Sequence, residues 1–220
     1  MTHDADTAAA RTVYVVDDDP AMRHSLAWLI GSLGLEVQGF ASAEEFLRSL
    51  PHGRPGCLVT DVRMPGMSGL ELLDTLAGAG SLLSVLVVTG HADVPMAVRA
   101  LRAGAVDFIE KPFNDQLLLD RVNEALAKSQ RAWEAAERKR HVRALLDRLT
   151  PRERQVAAMV VTGKPNKVIA AEINLSMKTV EVHRHNLMDK LEVASVSDLT
   201  RLLLEAEEPS PAAGGRGGKP

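Results

Sequence analysis

Cysteine and long apolar runs are both scarce in this chain of 220 residues. The only cysteine is Cys57, and no apolar run reaches the length of a membrane span. A single cysteine excludes an internal disulfide and is typical of proteins in a reducing compartment. Residues 1–11 hold acidic and small residues and no apolar core, so they do not resemble a secretory signal peptide. These absences predict a cytoplasmic protein with no membrane partner.

Charge is unevenly distributed along the chain. Residues 1–127 carry 9 Lys and Arg against 17 Asp and Glu, whereas residues 128–220 carry 17 against 12. The net charge of −3 therefore hides an acidic first part and a basic second part. This asymmetry suggests two kinds of partner, and the basic part is a candidate for binding nucleic acid.

The acidic part alternates short apolar runs with segments of helical periodicity. The runs predict five strands, at residues 13–16, 35–40, 57–60, 85–89 and 106–109. Each strand is followed by a predicted helix, at residues 21–34, from Ser42 onward, and at 70–76, 94–103 and 113–128. Uninterrupted apolar strands are typical of buried parallel sheets. We therefore predict a doubly wound α/β domain.

The second part has a different texture. Residues 129–148 are charged, rich in alanine and free of glycine and proline, which predicts a helical linker, with fraying into coil as the alternative. Residues 149–204 show no strand pattern and predict four short helices, at 151–161, 165–173, 177–191 and 197–204. Such helices, joined by short turns, indicate a small all-α helix-turn-helix domain. The predicted limits are a disordered N-terminus 1–11, an α/β domain 12–127, a linker 128–148, a helix-turn-helix domain 149–205 and a disordered tail 206–220.

Polar residues follow four of the predicted strands: Asp17 with Asp18, Asp61, Thr89 and Lys111. Each alone would be an ordinary turn or helix-capping residue. In a doubly wound sheet, however, the carboxyl ends of parallel strands meet at one edge. Three carboxylates there would repel one another and need a cation, and oxygen ligands with room for water favour Mg²⁺ or Mn²⁺. A cation, Lys111 and the Thr89 hydroxyl could together stabilise a phosphoryl group transferred to a carboxylate.

Residues 13–127 resemble the receiver domain of two-component response regulators through the segments VVDDD, DVRMPGMSG, VTGHAD, AGAVDF and EKPF. The segment TGHADVPM is similar to the FixJ branch of that family. The resemblance implies that Asp61 accepts a phosphoryl group from the phosphohistidine of a sensor histidine kinase. It also implies a Mg²⁺ site formed by Asp18, Asp61 and the backbone carbonyl of Arg63, with Asp17 acting through water.

The resemblance further implies that Lys111 pairs with the phosphoryl group and that Thr89 and Phe108 form a switch pair. In that switch, Thr89 turns toward the phosphate and Phe108 moves inward, which biases a surface made of the fourth helix, fifth strand and fifth helix. An aromatic residue in a strand is otherwise simply a core residue, and that alternative applies to Phe108.

The predicted helix at residues 177–191 has two distinct faces. Val180, Leu187 and Leu191 share an apolar stripe, and the opposite face carries Lys178, Glu181, Val182, His185, Asn186 and Asp189. As the last helix of a helix-turn-helix, it would enter the major groove of double-stranded DNA. Glu181 could accept from cytosine, Asn186 could read adenine and Val182 could touch a thymine methyl group. Phosphate contacts are predicted for Lys167, Thr179, Arg184 and Lys190.

The segment LTPRERQVAAMVVTGKPNKVIAAEINLSMKTVEVHRHNLMDKL resembles the LuxR/NarL-type DNA-binding domain, over residues 149–204. Two residues depart from the usual pattern. Glu181 stands where many relatives carry lysine, which argues against a phosphate contact there. Pro165 replaces a more usual serine, but proline is tolerated at a helix start.

These features predict a transcription factor switched by phosphorylation rather than an enzyme. Phosphorylation of Asp61 would favour a homodimer that places two recognition helices on two DNA half-sites. The bound dimer would then regulate transcription, by activation, through contact with RNA polymerase. One alternative is a magnesium-dependent phosphatase or phosphotransferase, which the carboxylates would permit. Against it stand the lack of a second acid for hydrolysis, the lack of a nucleotide loop and the attached DNA-reading segment. A second alternative is a DNA-binding protein with a vestigial receiver.

Overall fold

A computed structural model describes residues 12–50 and 53–207 of the chain. Five strands are present in this part: β1 Thr12–Val16, β2 Glu36–Phe40, β3 Cys57–Thr60, β4 Ser84–Thr89 and β5 Asp107–Glu110. The described residues also form nine helices: α1 Pro20–Gly31, α2 Ala43–Ser49, α3 Gly69–Gly78, α4 Val94–Arg102, α5 Asp115–Asp147, α6 Pro151–Val161, α7 Asn166–Glu172, α8 Met177–Lys190 and α9 Val196–Glu207. The chain divides into two compact units, Met1–Glu134 and Ala135–Pro220.

The first unit contains one parallel sheet in the order β2-β1-β3-β4-β5. In its register Val16 lies opposite Thr60, and Thr89 lies opposite Glu110, so the carboxyl ends of these strands lie at the same edge. Every residue of β1, β3 and β4 is buried, as expected for central parallel strands. The reversal of strand order between β1 and β3 is where a doubly wound sheet places its site.

Helices cover both faces of the sheet. Helices α1 and the start of α5 bury Leu26, Ile30, Leu118 and Val122 against one face. Helices α2, α3 and α4 bury Phe46, Leu72, Leu76 and Ala100 against the other. This arrangement confirms the predicted doubly wound α/β domain. Burial also raises the pKa of the Cys57 thiol, which makes this side chain an inert core residue.

The second unit contains α6 to α9, and its core confirms the predicted helix-turn-helix class. The side chains at its centre are fully or almost fully buried: Val156, Ile169, Val180, Leu187, Leu191 and Leu199. Their burial orients α8 with its polar face outward. The cap of α9 differs from the prediction: Ser195 caps this helix instead of Ser197, and its hydroxyl accepts from the Asp198 N–H.

Other helix limits also differ from the prediction. Helix α1 ends at Gly31 instead of residue 34, and Gly34 adopts φ +72° in the following turn. Helix α5 runs unbroken to Asp147, so the segment predicted to be a helical linker is helical and continues α5. The Ser129 hydroxyl, at the start of that segment, is buried and accepts a hydrogen bond of 2.9 Å from the Gly56 N–H. Leu145, near its end, is buried in the core of the second unit.

The predicted domain limits stay predictions. The predicted disordered N-terminus 1–11 lies outside the described residues, as do residues 208–220 of the predicted disordered tail 206–220. Residues 206 and 207 of that tail belong to the end of α9.

Among the helices described, none combines the length and the apolar character that crossing a membrane requires.

Candidate functional site

A lysine lies between two buried carboxylates at the carboxyl edge of the sheet. Lys111 Nζ donates to Asp17 Oδ2 at 2.8 Å and to Asp61 Oδ1 at 3.0 Å. The side chains of Asp17, Asp61 and Lys111 are 4%, 10% and 17% exposed. Because two carboxylates share one ammonium group, the cluster keeps an excess negative charge. Such an excess favours binding of a further cation.

Backbone amides hold the remaining carboxylate oxygens. Asp61 Oδ2 accepts from the Arg63 N–H at 2.6 Å, and Asp17 Oδ1 accepts from the Asp19 N–H at 2.9 Å. The Asp61 N–H itself donates to the Val16 carbonyl at 2.9 Å. Both carboxylates are therefore preorganised by the loops that follow β1 and β3.

The charge state of Lys111 follows from these contacts. Burial alone would lower the pKa of its ammonium group, but hydrogen bonds and charge attraction from Asp17 and Asp61 outweigh burial and raise the pKa above its ordinary value. Lys111 is therefore cationic at neutral pH, and it can stabilise negative charge that develops on Asp61.

Gly69 is a residue of the site that the sequence interpretation missed. A Cβ atom at this position would lie 2.0 Å from the Asp61 carbonyl oxygen and 3.0 Å from the Thr60 hydroxyl oxygen. The Gly69 N–H donates to the Val62 carbonyl at 3.1 Å. Helix α3 can therefore begin this close to Asp61 only with glycine. The available signal was a glycine at the first helical position after Ser68, which forms a capping box with Glu71.

Arg23 was also missed. Its Nη1 donates to the backbone carbonyl of Asp17 at 2.6 Å and to that of Asp18 at 3.0 Å. The guanidinium group thus ties α1 to the acidic loop. Spacing along α1 carries no signal for this contact, because the carbonyls come from the irregular backbone before the helix.

The other predicted pocket residues occupy different environments. Thr89 ends β4, is 1% exposed, and its hydroxyl accepts from the His91 N–H at 3.4 Å. Phe108 is half-buried against the sheet face that α2 to α4 cover. Asp18 is exposed. In the part of the chain that the structure describes, no three His, Cys, Asp or Glu side chains form an arrangement that could hold a metal ion. The structure thus brings Asp17, Asp61 and Lys111 together, while Asp18 faces solvent.

The predicted outer face of α8 is confirmed as a surface. Lys178, Glu181, Val182, His185, Asn186 and Asp189 are all exposed, whereas Val180 and Leu187 are fully buried. His185 Nε2 lies 3.3 Å from Asp189 Oδ2, one turn further along. The face therefore offers hydrogen-bonding groups and one apolar side chain, Val182, which is 51% exposed.

The residues predicted to contact phosphates are not equally available. Lys167 is exposed. The Thr179 hydroxyl lies 2.8 Å from the Ser176 hydroxyl at the start of α8. Arg184 Nη1 donates to Asn166 Oδ1 at 2.7 Å, and Lys190 Nζ donates to both carboxylate oxygens of Glu153. Lys190 is thus already paired within the second unit.

Comparison with known proteins gives a consistent result for both units. Residues 13–123 match the response regulator receiver domain, and residues 147–203 match the bacterial regulatory proteins of the luxR family. The transcriptional regulatory protein FixJ of Rhizobium meliloti is 46% identical over 193 residues, covering 88% of this chain and 95% of that protein. FixJ of Bradyrhizobium diazoefficiens is 44% identical over 194 residues, with coverage of 88% and 95%. The solved structure of the response regulator StyR is 42% identical, with a TM-score of 0.83 and coverage of 88% and 98%.

Proposed function

This chain belongs to the response regulators that carry a receiver domain and a luxR-family DNA-binding domain, and from that premise we propose that phosphorylation of Asp61 controls it. The protein is a two-component transcription regulator and not an enzyme. Its receiver domain implies a sensor kinase as partner, and its second domain implies DNA binding.

We propose that an Asp61 carboxylate oxygen attacks the phosphorus of a phosphohistidine on the sensor histidine kinase. The new O–P bond makes an aspartyl phosphate, the P–N bond breaks, and the imidazole leaves with its electron pair. Lys111 balances the added charge, and the Thr89 hydroxyl donates to a phosphoryl oxygen. The observation that carries the proposal is the single lysine held between Asp17 and Asp61, at 2.8 and 3.0 Å.

Receiver domains use a divalent metal at the phosphorylation site, and we propose Mg²⁺ here, with Mn²⁺ as a substitute. Asp18, Asp61 and the Arg63 carbonyl would hold it, and Asp17 would act through water. Oxygen donors beside an exposed carboxylate suit a cation that keeps several of its waters. Once bound, the cation supplies positive charge for the phosphoryl oxygens.

We propose that Thr89 and Phe108 transmit phosphorylation to the surface of α4 and β5, which then forms a homodimer. Three apolar side chains of α4 support this surface, because Val94, Val98 and Leu101 are 76%, 42% and 49% exposed. Arg102 and Glu110 are exposed and offer opposite charges around them, whereas Arg99 is paired with Asp74 and Asp107 with Arg121. In the dimer, two copies of α8 would meet two DNA half-sites.

For DNA recognition we propose Glu181, Val182, His185 and Asn186 at base edges, and Lys167, Lys178, Thr179 and Arg184 at phosphates. Binding would activate transcription through contact with RNA polymerase.

Light scattering of the full-length chain, with and without beryllofluoride and Mg²⁺, tests the switch. We expect the wild type to shift from monomer to dimer and Asp61→Asn to stay monomeric. Asp147→Asn, an exposed carboxylate of the second unit, is the matched control and should dimerise like the wild type. A dimer of Asp61→Asn would contradict Asp61 as phosphoacceptor, whereas no dimer in any variant would contradict dimerisation as the output.

A further inference from the structure

Lys190 and Glu153 form an ion pair between two helices of the second unit. Lys190 is the last residue of α8, and Glu153 lies in the first turn of α6. Lys190 Nζ is 2.9 Å from Glu153 Oε1 and 2.7 Å from Oε2. The Glu153 side chain is 4% exposed and that of Lys190 is 37% exposed. A buried carboxylate of this kind requires its cation, because removal of one partner leaves an uncompensated charge.

Thr150 fixes the position of the Glu153 carboxylate. The Thr150 N–H donates to Glu153 Oε2 at 2.8 Å, and the Glu153 N–H donates to the Thr150 hydroxyl at 3.3 Å. This reciprocal pair is a capping box at the start of α6. The carboxylate that receives Lys190 is therefore a rigid part of the helix end rather than a mobile surface group.

Both partners also suit the helix ends on which they lie. The N-terminus of α6 carries a partial positive charge that favours Glu153, and the C-terminus of α8 carries a partial negative charge that favours Lys190. The pair thus joins two helix ends of opposite polarity. Arg184 makes a second link from α8, to Asn166 at the start of α7.

We propose that Glu153 and Lys190 position the recognition helix α8, and that Lys190 is a positioning residue instead of a phosphate contact. The inference rests on the proposed role of α8 in reading DNA. A lysine already neutralised by a buried carboxylate adds little net charge toward phosphates and releases few counterions on binding. Arg184 differs, because one hydrogen bond to Asn166 occupies one of the five guanidinium donors and leaves others for a phosphate.

Binding to two DNA duplexes distinguishes positioning from phosphate contact. The first duplex is enriched from a random-sequence library by the full-length chain with beryllofluoride and Mg²⁺, and the second is a scrambled version of it. In Lys190→Met and Glu153→Gln we expect the preference for the enriched duplex to fall by about tenfold. The dependence of affinity on salt should stay unchanged, and the double variant should be no worse than either single variant.

Two control variants calibrate the measurement. Lys178→Met removes an exposed lysine from each copy of α8, so it should weaken binding to both duplexes and lower the salt slope by about 0.9 per copy, or about 1.8 for the dimer. Lys164→Met removes the partner of Glu172, a pair with N–O distance 2.6 Å whose side chains are 37% and 40% exposed. That pair does not involve α8, so we expect neither the preference nor the slope to change.

A reduced salt slope in Lys190→Met, together with unaltered binding by Glu153→Gln, would overturn the proposal in favour of a phosphate contact. Circular dichroism checks that each variant is folded. If Lys190→Met loses helix, Lys190→Arg and Lys190→Gln replace it, because arginine can still pair with Glu153 and the capping box stays intact: retention of the preference in Lys190→Arg alone supports positioning, and equal loss in both overturns it. If the wild type enriches no duplex, the proposed DNA reading fails. If Lys190→Met and Glu153→Gln lower thermal stability additively in the double variant, the two residues do not act as a pair, and the positioning role is overturned even though DNA reading stands.

Discussion

Each half of this molecule pairs one lysine with buried carboxylate, but two carboxylates share the lysine in one half and a single carboxylate binds it in the other. In the receiver domain Lys111 serves both Asp17 and Asp61, which leaves one negative charge in excess. In the DNA-binding domain Lys190 serves Glu153 alone, and the capping box with Thr150 completes the carboxylate's hydrogen bonds. The first cluster is incomplete and can be completed by a cation. The second is already complete, which suits a part of the protein that must keep its shape.

The difference shows how a buried ion pair can be interpreted. Burying charge costs free energy, and a balanced pair recovers much of that cost within the fold. An unbalanced cluster stays unfavourable until a ligand binds, so its strain is useful only at a functional site.

Gly69→Ala should destabilise the receiver domain by about 3 kcal/mol, because its Cβ would lie 2.0 Å from the Asp61 carbonyl oxygen. Hydrogen exchange of the full-length chain, followed by mass spectrometry, would locate the loss. Protection should fall in β3 and α3 and persist in α6 to α9. Gly78→Ala, at the other end of α3, has nothing within 4 Å of the added Cβ and serves as the control. Equal effects of both variants would show that the close approach does not matter.

Neutralising one carboxylate should have opposite effects in the two halves. Glu153→Gln leaves Lys190 without its charge partner and should destabilise the DNA-binding domain by about 2 kcal/mol, reduced by the partial exposure of the lysine. Asp61→Asn removes the excess charge and leaves Lys111 paired with Asp17, so the receiver domain should gain about 1 kcal/mol. Regional hydrogen exchange reports both changes. Destabilisation by Asp61→Asn would contradict the view of the cluster as strained.

The two clusters should also respond to opposite ends of the pH range. Burial alone would raise the pKa of Glu153, but hydrogen bonds from Lys190 and Thr150 lower it overall. The stability that the ionised Glu153 adds to the fold is therefore fully present above pH 4.5, the ordinary glutamate value, and is lost as pH falls through the lowered pKa. The raised pKa of Lys111 means that its contribution is complete below pH 10.5 and is lost as pH rises through the raised value.

Unfolding monitored from pH 3 to 12, by hydrogen exchange corrected for intrinsic rates, would test this. Glu153→Gln should remove the acid-side loss in α6 and α8, and Lys111→Met should remove the alkaline-side loss in β1 and β3. If Glu153→Gln still loses stability in acid, other carboxylates are the source of that loss.

The smallest effect is expected at an exposed pair. Asp74 Oδ2 lies 2.9 Å from Arg99, with side chains 52% and 57% exposed. Asp74→Asn should change stability by less than about 0.5 kcal/mol, because solvent screens such pairs. Thermal unfolding of the full-length chain measures this. A loss of stability as large as that caused by Glu153→Gln would show that burial does not determine how much an ion pair stabilises this protein.

Much of the fold followed from local patterns. Apolar runs of four to six residues predicted the strands, and helical periodicity predicted which face of α8 is buried. The placement of Asp17, Asp61 and Lys111 just beyond the ends of β1, β3 and β5 was enough to predict that these three side chains meet. Helix ends were predicted less well, since the competing caps at Ser195 and Ser197 are alike in sequence.

Local sequence patterns were sufficient to predict the two domain classes, the strand-end cluster and the outer face of α8, because these depend on periods of two or 3.6 residues and on strand order. The partners of long side chains, in contrast, depend on how the elements pack. Lys111 and Asp17 are 94 residues apart, and Lys190 and Glu153 are 37 apart. The close approach of Gly69 to Asp61 likewise depends on how a helix and a strand end pack. Such contacts depend on packing angles and distances that no local pattern encodes.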